Sequence, residues 1–174
     1  CYEYDRDRAF MATAPLEGMG HGGYLFLYED GQEVFQIFNK ARNTAYDEFG
    51  VPAITTVENL KKIIPEDELF PIKKTSAWVA HHGFGAWGEE RWMCKPTVDM
   101  YFGESESLEQ FCERSAWLQC VGYQAIFEEA RRQWPHCSVA INWCYNEPWL
   151  TAAGNSIVAY PNNPKPAYYT VKNS

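Results

Sequence analysis

The sequence predicts an α/β fold built on a parallel sheet, and three observations predict it. Strand-like and helix-like segments alternate along most of the chain, the pattern of parallel strands joined by helical crossovers. Residues 138–144 (Ser-Val-Ala-Ile-Asn-Trp-Cys) are short and mostly apolar, as expected of a strand covered on both faces. A long amphipathic helical segment comes just before that strand.

The elements follow in order. Residues 8–14 read as a strand stopped by Pro15, leading into a loop with Gly18, Gly20, Gly22 and Gly23. Residues 23–28 are a second apolar run, closed by Asp30-Gly31. Val34, Ile37, Phe38 and Ala41 then recur at helical spacing, giving a helix over residues 33–42. Residues 43–49 are a third strand, ended by Gly50 and Pro52. Thr55 opens a short helix with Glu58 three residues on, a capping-box pattern, and Pro65 closes it. Residues 71–97 are irregular and carry Trp78, His81, His82, Trp87 and Trp92. Ser107 and Gln110 form a second capping box, and Leu108, Phe111, Cys112, Ser115, Gln119, Gly122 and Ile126 trace one face of the long helix. Glu128 and Arg132 add an i,i+4 pair, and Trp134-Pro135 ends the helix. Pro166 suits the first turn of a terminal helix.

Composition narrows the function classes. The chain has 174 residues, 46% of them hydrophobic, with 10 Phe, 11 Tyr and 7 Trp, which is opposite to the signature of disorder. Fifteen basic residues against 23 acidic ones give a formal net charge of −8 and no basic stripe for a nucleic-acid backbone. The longest uncharged stretches, such as residues 137–146, fall far short of the about 18 apolar residues that span a membrane. The six cysteines make no C-x-x-C pair, and Cys112 and Cys120, eight apart on a helix, lie about 12 Å from one another along its axis. They read as buried thiols. No signal peptide is visible, and the compartment stays open. Position 1 is Cys and the last helix has only just begun, so the chain reads as a piece of a longer polypeptide.

Two segments place carboxylates where a strand runs into a loop: Thr44-Ala45-Tyr46-Asp47-Glu48-Phe49-Gly50 and Ile141-Asn142-Trp143-Cys144-Tyr145-Asn146-Glu147-Pro148-Trp149. In α/β barrels the C-terminal strand ends hold the active site. Carboxylates beside aromatic planes suit sugar chemistry, because a pyranose packs its C–H face on an aromatic ring while two carboxyl groups do the acid/base or nucleophilic work. The acidic run Glu104, Glu106, Glu109 and Glu113 reads as a solvated face complementing a helix dipole. His81-His82 lacks a third ligand at metal spacing, and no nucleotide-binding glycine pattern occurs, so no metal or other cofactor is expected.

At these motifs the chain resembles glycoside hydrolase family 2. Residues 44–52 resemble the family's seventh barrel strand, which ends in Ser- or Thr-Glu-Phe-Gly. Residues 140–149 resemble the eighth strand of its β-mannosidase-like branch. Asn163-Pro164-Lys165-Pro166-Ala167-Tyr168-Tyr169 is similar to the segment opening its last barrel helix, and Arg8-Ala9-Phe10 through Pro15 is similar to its fifth strand. The resemblance implies a partial (β/α)8 barrel, strands five to eight with their helices, over residues 1–174. It implies a retaining, exo-acting β-glycosidase without cofactor, taking a carbohydrate as partner. Glu48 would be the nucleophile and Trp143 the floor of the sugar subsite. Asn146, Glu147 and Trp149 would form the rim, Tyr24 would hydrogen-bond the nucleophile, and His82 would reach the substrate from the excursion after strand seven. Asn146-Glu147-Pro148 looks like the acid/base motif of related barrels, but Glu147 comes 99 residues after Glu48, the wrong chain order for that role. The acid/base would then lie upstream of Cys1, in the remaining half of the same polypeptide, and this half alone would be inactive. A non-catalytic carbohydrate-binding or scaffold module using the same aromatic residues is the competing reading.

Overall fold

A computed structural model describes residues 3–8, 10–85 and 92–174; Cys1, Ala9 and Trp87 lie outside them. The sheet that positions the site is parallel and three-stranded, in the order β1 (Met19–His21), β2 (Ala45–Phe49), β4 (Ala140–Asn142). Between β1 and β2 runs α1 (Val34–Lys40). After β2 come the two-residue strand β3 (Ala53–Ile54), α2 (Val57–Ile63), α3 (Ser76–Ala80), α4 (Lys95–Phe102) and α5 (Leu108–Arg132). After β4 come β5 (Ala153–Gly154), β6 (Val158–Ala159), β7 (Asn163–Pro164) and α6 (Pro166–Asn173). β5 pairs antiparallel with β3, and β7 with β6.

The long helix is held as its sequence indicates. Ser107 Oγ accepts from Gln110 N at 3.1 Å, satisfying one of the free amides of the first turn. The stripe Leu108, Phe111, Ser115, Gln119, Gly122 and Ile126 is buried. Gly122 brings α5 against the exit of β2, since a Cβ there would stand 2.9 Å from both Val51 methyls. Phe49 at the end of β2 meets Phe127 of α5 at 5.3 Å and Phe38 of α1 at 5.9 Å between ring centroids. Burying a ring such as Phe49, fully shielded here, stabilises by about 1.5–3 kcal/mol, and this aromatic layer fixes the outer face of β2. Pro166 takes the first turn of α6.

β2 is irregular where it matters. Gly20 pairs with Tyr46 but His21 with Glu48, while Ala140 pairs with Tyr46 and Asn142 with Phe49. β2 therefore holds one residue more than either neighbour, a bulge at Asp47–Glu48. Bulges of this kind re-aim side chains beside active sites. Tyr46 and Phe49 both stay buried, and Asp47 and Glu48 are turned away from that layer.

Several sequence expectations need correction. Residues 10–14 form no strand, and the apolar run 23–28 is an irregular segment that buries Phe26 and makes a single bridge, Leu27 to Glu33. The strand lies instead in the stretch read as a loop, at Met-Gly-His. Such a run shows no apolar period, and it pairs because Gly20 has no side chain: a Cβ there would stand 2.6 Å from the Tyr46 ring. Four barrel strands are therefore not found; among the described residues the parallel sheet has three. β4 is not covered on both faces: Ile141 is 54% exposed, and β2 is its one sheet neighbour among the described residues. The short helix is capped by Thr56, which accepts from Asn59 N at 3.2 Å, rather than by Thr55. Arg132 pairs with Glu129, its Nε 2.7 Å from Oε2, and Glu128 takes Gln124. The irregular middle contains α3 and the start of α4. Among the described residues no helix is long and apolar enough to cross a membrane.

Candidate active site

The site is assembled at the C-terminal ends of the parallel strands. β1 delivers His21, the bulge in β2 delivers Asp47 and Glu48, and the residue after β4 is Trp143. Gly22 N donates to Glu48 O at 2.9 Å and Trp143 N to Phe49 O at 2.7 Å, so both flanking segments are stitched to the carboxylate's own strand. The Trp143–Cys144 peptide bond is cis.

Tyr24, from the segment after β1, donates its phenolic hydrogen to Glu48 Oε1. His21 Nδ1 lies 3.2 Å from Asp47 Oδ2, and its Nε2 3.9 Å from that same Glu48 Oε1. Glu48 Oε2 takes no hydrogen bond from the described residues, and the Glu48 side chain is 29% exposed. One carboxylate oxygen is thus held while the other is left without a hydrogen bond from the described residues. The phenol of Tyr24 is pushed well above its ordinary pKa by burial first, then by the hydrogen bond to Glu48 and by the charges of Glu48 and Asp47. It stays protonated and remains a donor. Burial first, and then the Glu48 charge, raises the Cys144 thiol as well.

An aromatic wall stands beside the carboxylate. The Tyr24 ring meets Trp143 edge-on at 5.7 Å, and Trp92 stacks on Trp143 at 5.9 Å with 27° between planes. Trp143 remains 37% exposed, so part of its surface is available to a ligand. Tyr24 and Trp92 also line a cavity of about 360 Å³ with Gly23, Leu25, Tyr28, Glu29 and Asp30. That volume falls within the range of small-molecule sites.

Of the residues singled out in the sequence, Glu48, Tyr24 and Trp143 come together. His82 and Trp149 form a separate cluster, their rings 5.2 Å apart, with His81 5.6 Å from Trp149 on its other partner side. No hydrogen bond or ring contact joins that cluster to Glu48 among the described residues. Asn146 is exposed and bridges to Val158. Glu147 is a correction, because it is not on a rim. It is 2% exposed and faces Lys165, itself 4% exposed, across 2.8 Å. The two groups are close but not aligned as a hydrogen bond, and Glu147 Oε2 accepts from Tyr160 N at 3.2 Å. A carboxylate in such a pair fixes loops and is closed to a sugar. His21, Asp47 and Trp92 were not singled out as site residues. The available signals were a His between glycines at a strand end and two adjacent acids in one motif.

Solved structures similar to this chain include glycosidases. The β-D-mannosidase from Dictyoglomus thermophilum superposes with a TM-score of 0.68 at 26% identity over 79% of this chain. Two variants of the exo-chitosanase from Amycolatopsis orientalis, each in complex with PNP-β-D-glucosamine, give TM-scores of 0.65 and 0.67 at 17% and 18% identity over 86% and 92% of it. The chain has the fold of these glycosidases. It spans 16%, 18% and 20% of their respective lengths. No family model and no curated protein matches it. The resemblance to glycoside hydrolase family 2 therefore extends from the sequence motifs to the arrangement of the parallel sheet and its helices.

Proposed function

We propose that the chain is the nucleophile-bearing part of a catalytic (β/α)8 barrel in a retaining, exo-acting β-glycosidase resembling the β-mannosidases of family 2. The observation that supports this most is the Tyr24–Glu48 bond beside the Trp143 wall, because a donor fixed on one oxygen orients the other for attack. In the first step Glu48 Oε2 attacks the anomeric carbon while the glycosidic C–O bond breaks. A general acid protonates the leaving oxygen, and a glycosyl ester of Glu48 results. Water, deprotonated by the same group, then displaces Glu48 and returns the carboxylate. That acid/base belongs, on this reading, to the rest of the polypeptide, about 5 Å from Glu48. Trp143 supplies the apolar face for the sugar ring, and the substrate class is a terminal β-linked hexopyranoside.

The test is turnover of an aryl β-glycoside by the polypeptide that carries this chain. Glu48→Gln is expected to abolish it while leaving sugar binding measurable. Turnover that survives the substitution rejects the nucleophile, and a non-catalytic sugar-binding module would show no turnover in either form.

A further inference from the structure

Asp47 stands where the pattern this chain resembles has Ser or Thr, and the bulge turns it beside the nucleophile rather than into the core. Its side chain is 10% exposed, with Oδ2 on His21 Nδ1 at 3.2 Å, and His21 in turn presents Nε2 to Glu48 Oε1 at 3.9 Å. Asp47 Oδ1 is buried and has no hydrogen-bond partner among the described residues. We propose that Asp47 and His21 form a positioning pair for Glu48: Asp47 holds the His21 ring in place, and His21 faces the oxygen that Tyr24 already binds. This rests on Glu48 being the nucleophile.

The consequence is specific. The Tyr24 hydroxyl binds Oε1 and the His21 ring stands beside that same oxygen, so the carboxylate is held against rotation with Oε2 left for the substrate. When the glycosyl ester breaks down, charge returns to the same carboxylate, and the Tyr24 hydroxyl stabilises it as it leaves. The titratable groups facing His21 and Glu48 are Asp47 from β2, Tyr24 from the segment after β1 and Cys144 beyond β4. No covalent step passes through the pair, and both residues act through Glu48.

The experiment uses the whole polypeptide and an aryl β-glycoside with a leaving group acidic enough to depart without protonation, so that the general acid drops out of the profile. His21→Gln is expected to lower kcat on the order of 10- to 100-fold with KM nearly constant, the loss typical of a misplaced reacting group. Asp47→Asn should lower kcat in the same range. The double variant should be no worse than the more impaired single one, because the two residues act as a unit. Additive losses, or a loss in His21→Gln that falls on KM rather than on kcat, overturn the pairing. A variant that loses activity with a collapsed thermal transition is replaced by Asp47→Ser, the kind of residue found in the resembled pattern, and a wild-type kcat there also overturns it. Glu48→Gln is measured alongside. If it still turns over substrate, the nucleophile reading has failed; if it is dead while His21→Gln and Asp47→Asn match wild type, the positioning pair alone has failed.

Discussion

Replacing Lys165 by Met removes the cation that Glu147 faces in the interior. The two side chains are 4% and 2% exposed and 2.8 Å apart, linking the start of α6 to the segment after β4. At an effective dielectric of about 20 the attraction across that distance is roughly 6 kcal/mol, but burying each ion costs several kcal/mol, so the pair as a whole contributes little. Removing one partner is different, because Glu147 keeps its desolvation cost while only the neutral donors Tyr160 N and Thr55 Oγ1 remain to it, both on Oε2. Lys165→Met is therefore expected to destabilise by about 3–5 kcal/mol. In a unit of this size that lowers Tm by roughly 6–20 °C. Adding Glu147→Leu should recover most of the loss, since an apolar pair of similar volume replaces the ions. Thermal unfolding followed by circular dichroism reads both variants. A single variant within about 1 kcal/mol of wild type would refute the reasoning, and so would a double variant as unstable as the single one.

Tyr24→Phe removes one donor from the Glu48 carboxylate, and a hydrogen bond to a charged group is worth about 1.5–3 kcal/mol. Turnover of an aryl β-glycoside should fall on the order of 10- to 150-fold with the fold intact by circular dichroism. Gly122→Ala sets a Cβ 2.9 Å from the Val51 methyls, and overpacking of that kind costs about 1–3 kcal/mol against about 1 kcal/mol gained in helix propensity. A lowered Tm is expected, and a raised one would show that α5 can move away from the sheet. The Cys112 thiol is pushed up to about 12 by burial and then by Glu109, so alkylation at pH 8 should be slow compared with an ordinary cysteine and should quicken only on unfolding.

How far the sequence could be read depends on what each element relies on. α5 was legible because its apolar stripe, its Ser107 cap and its Trp134-Pro135 exit all act within one stretch of chain. β2 was legible for the same reason. β1 was not: Met19, Gly20 and His21 have no strand-like pattern, and they pair because a glycine fits the Tyr46 ring. The run at residues 23–28 misled because a buried irregular segment and a buried strand show the same apolar residues. Glu48 was found through its motif, and Tyr24 and Trp143 through the resemblance, but His21 and Asp47 depend on a bulge that follows from pairing with two strands distant in sequence. Glu147 was misplaced because its partner Lys165 comes from another element, and no local pattern reveals an ion pair across the core.

The central claim is that Glu48 forms the covalent bond to the sugar. Incubating the polypeptide that carries this chain with a 2-deoxy-2-fluoro β-glycoside bearing a good leaving group should trap that ester, because the fluorine slows its breakdown. Peptide mass spectrometry is predicted to find one glycosyl adduct, on Glu48, and none in Glu48→Gln. An adduct on any other residue, or steady turnover with no adduct at all, would contradict the account.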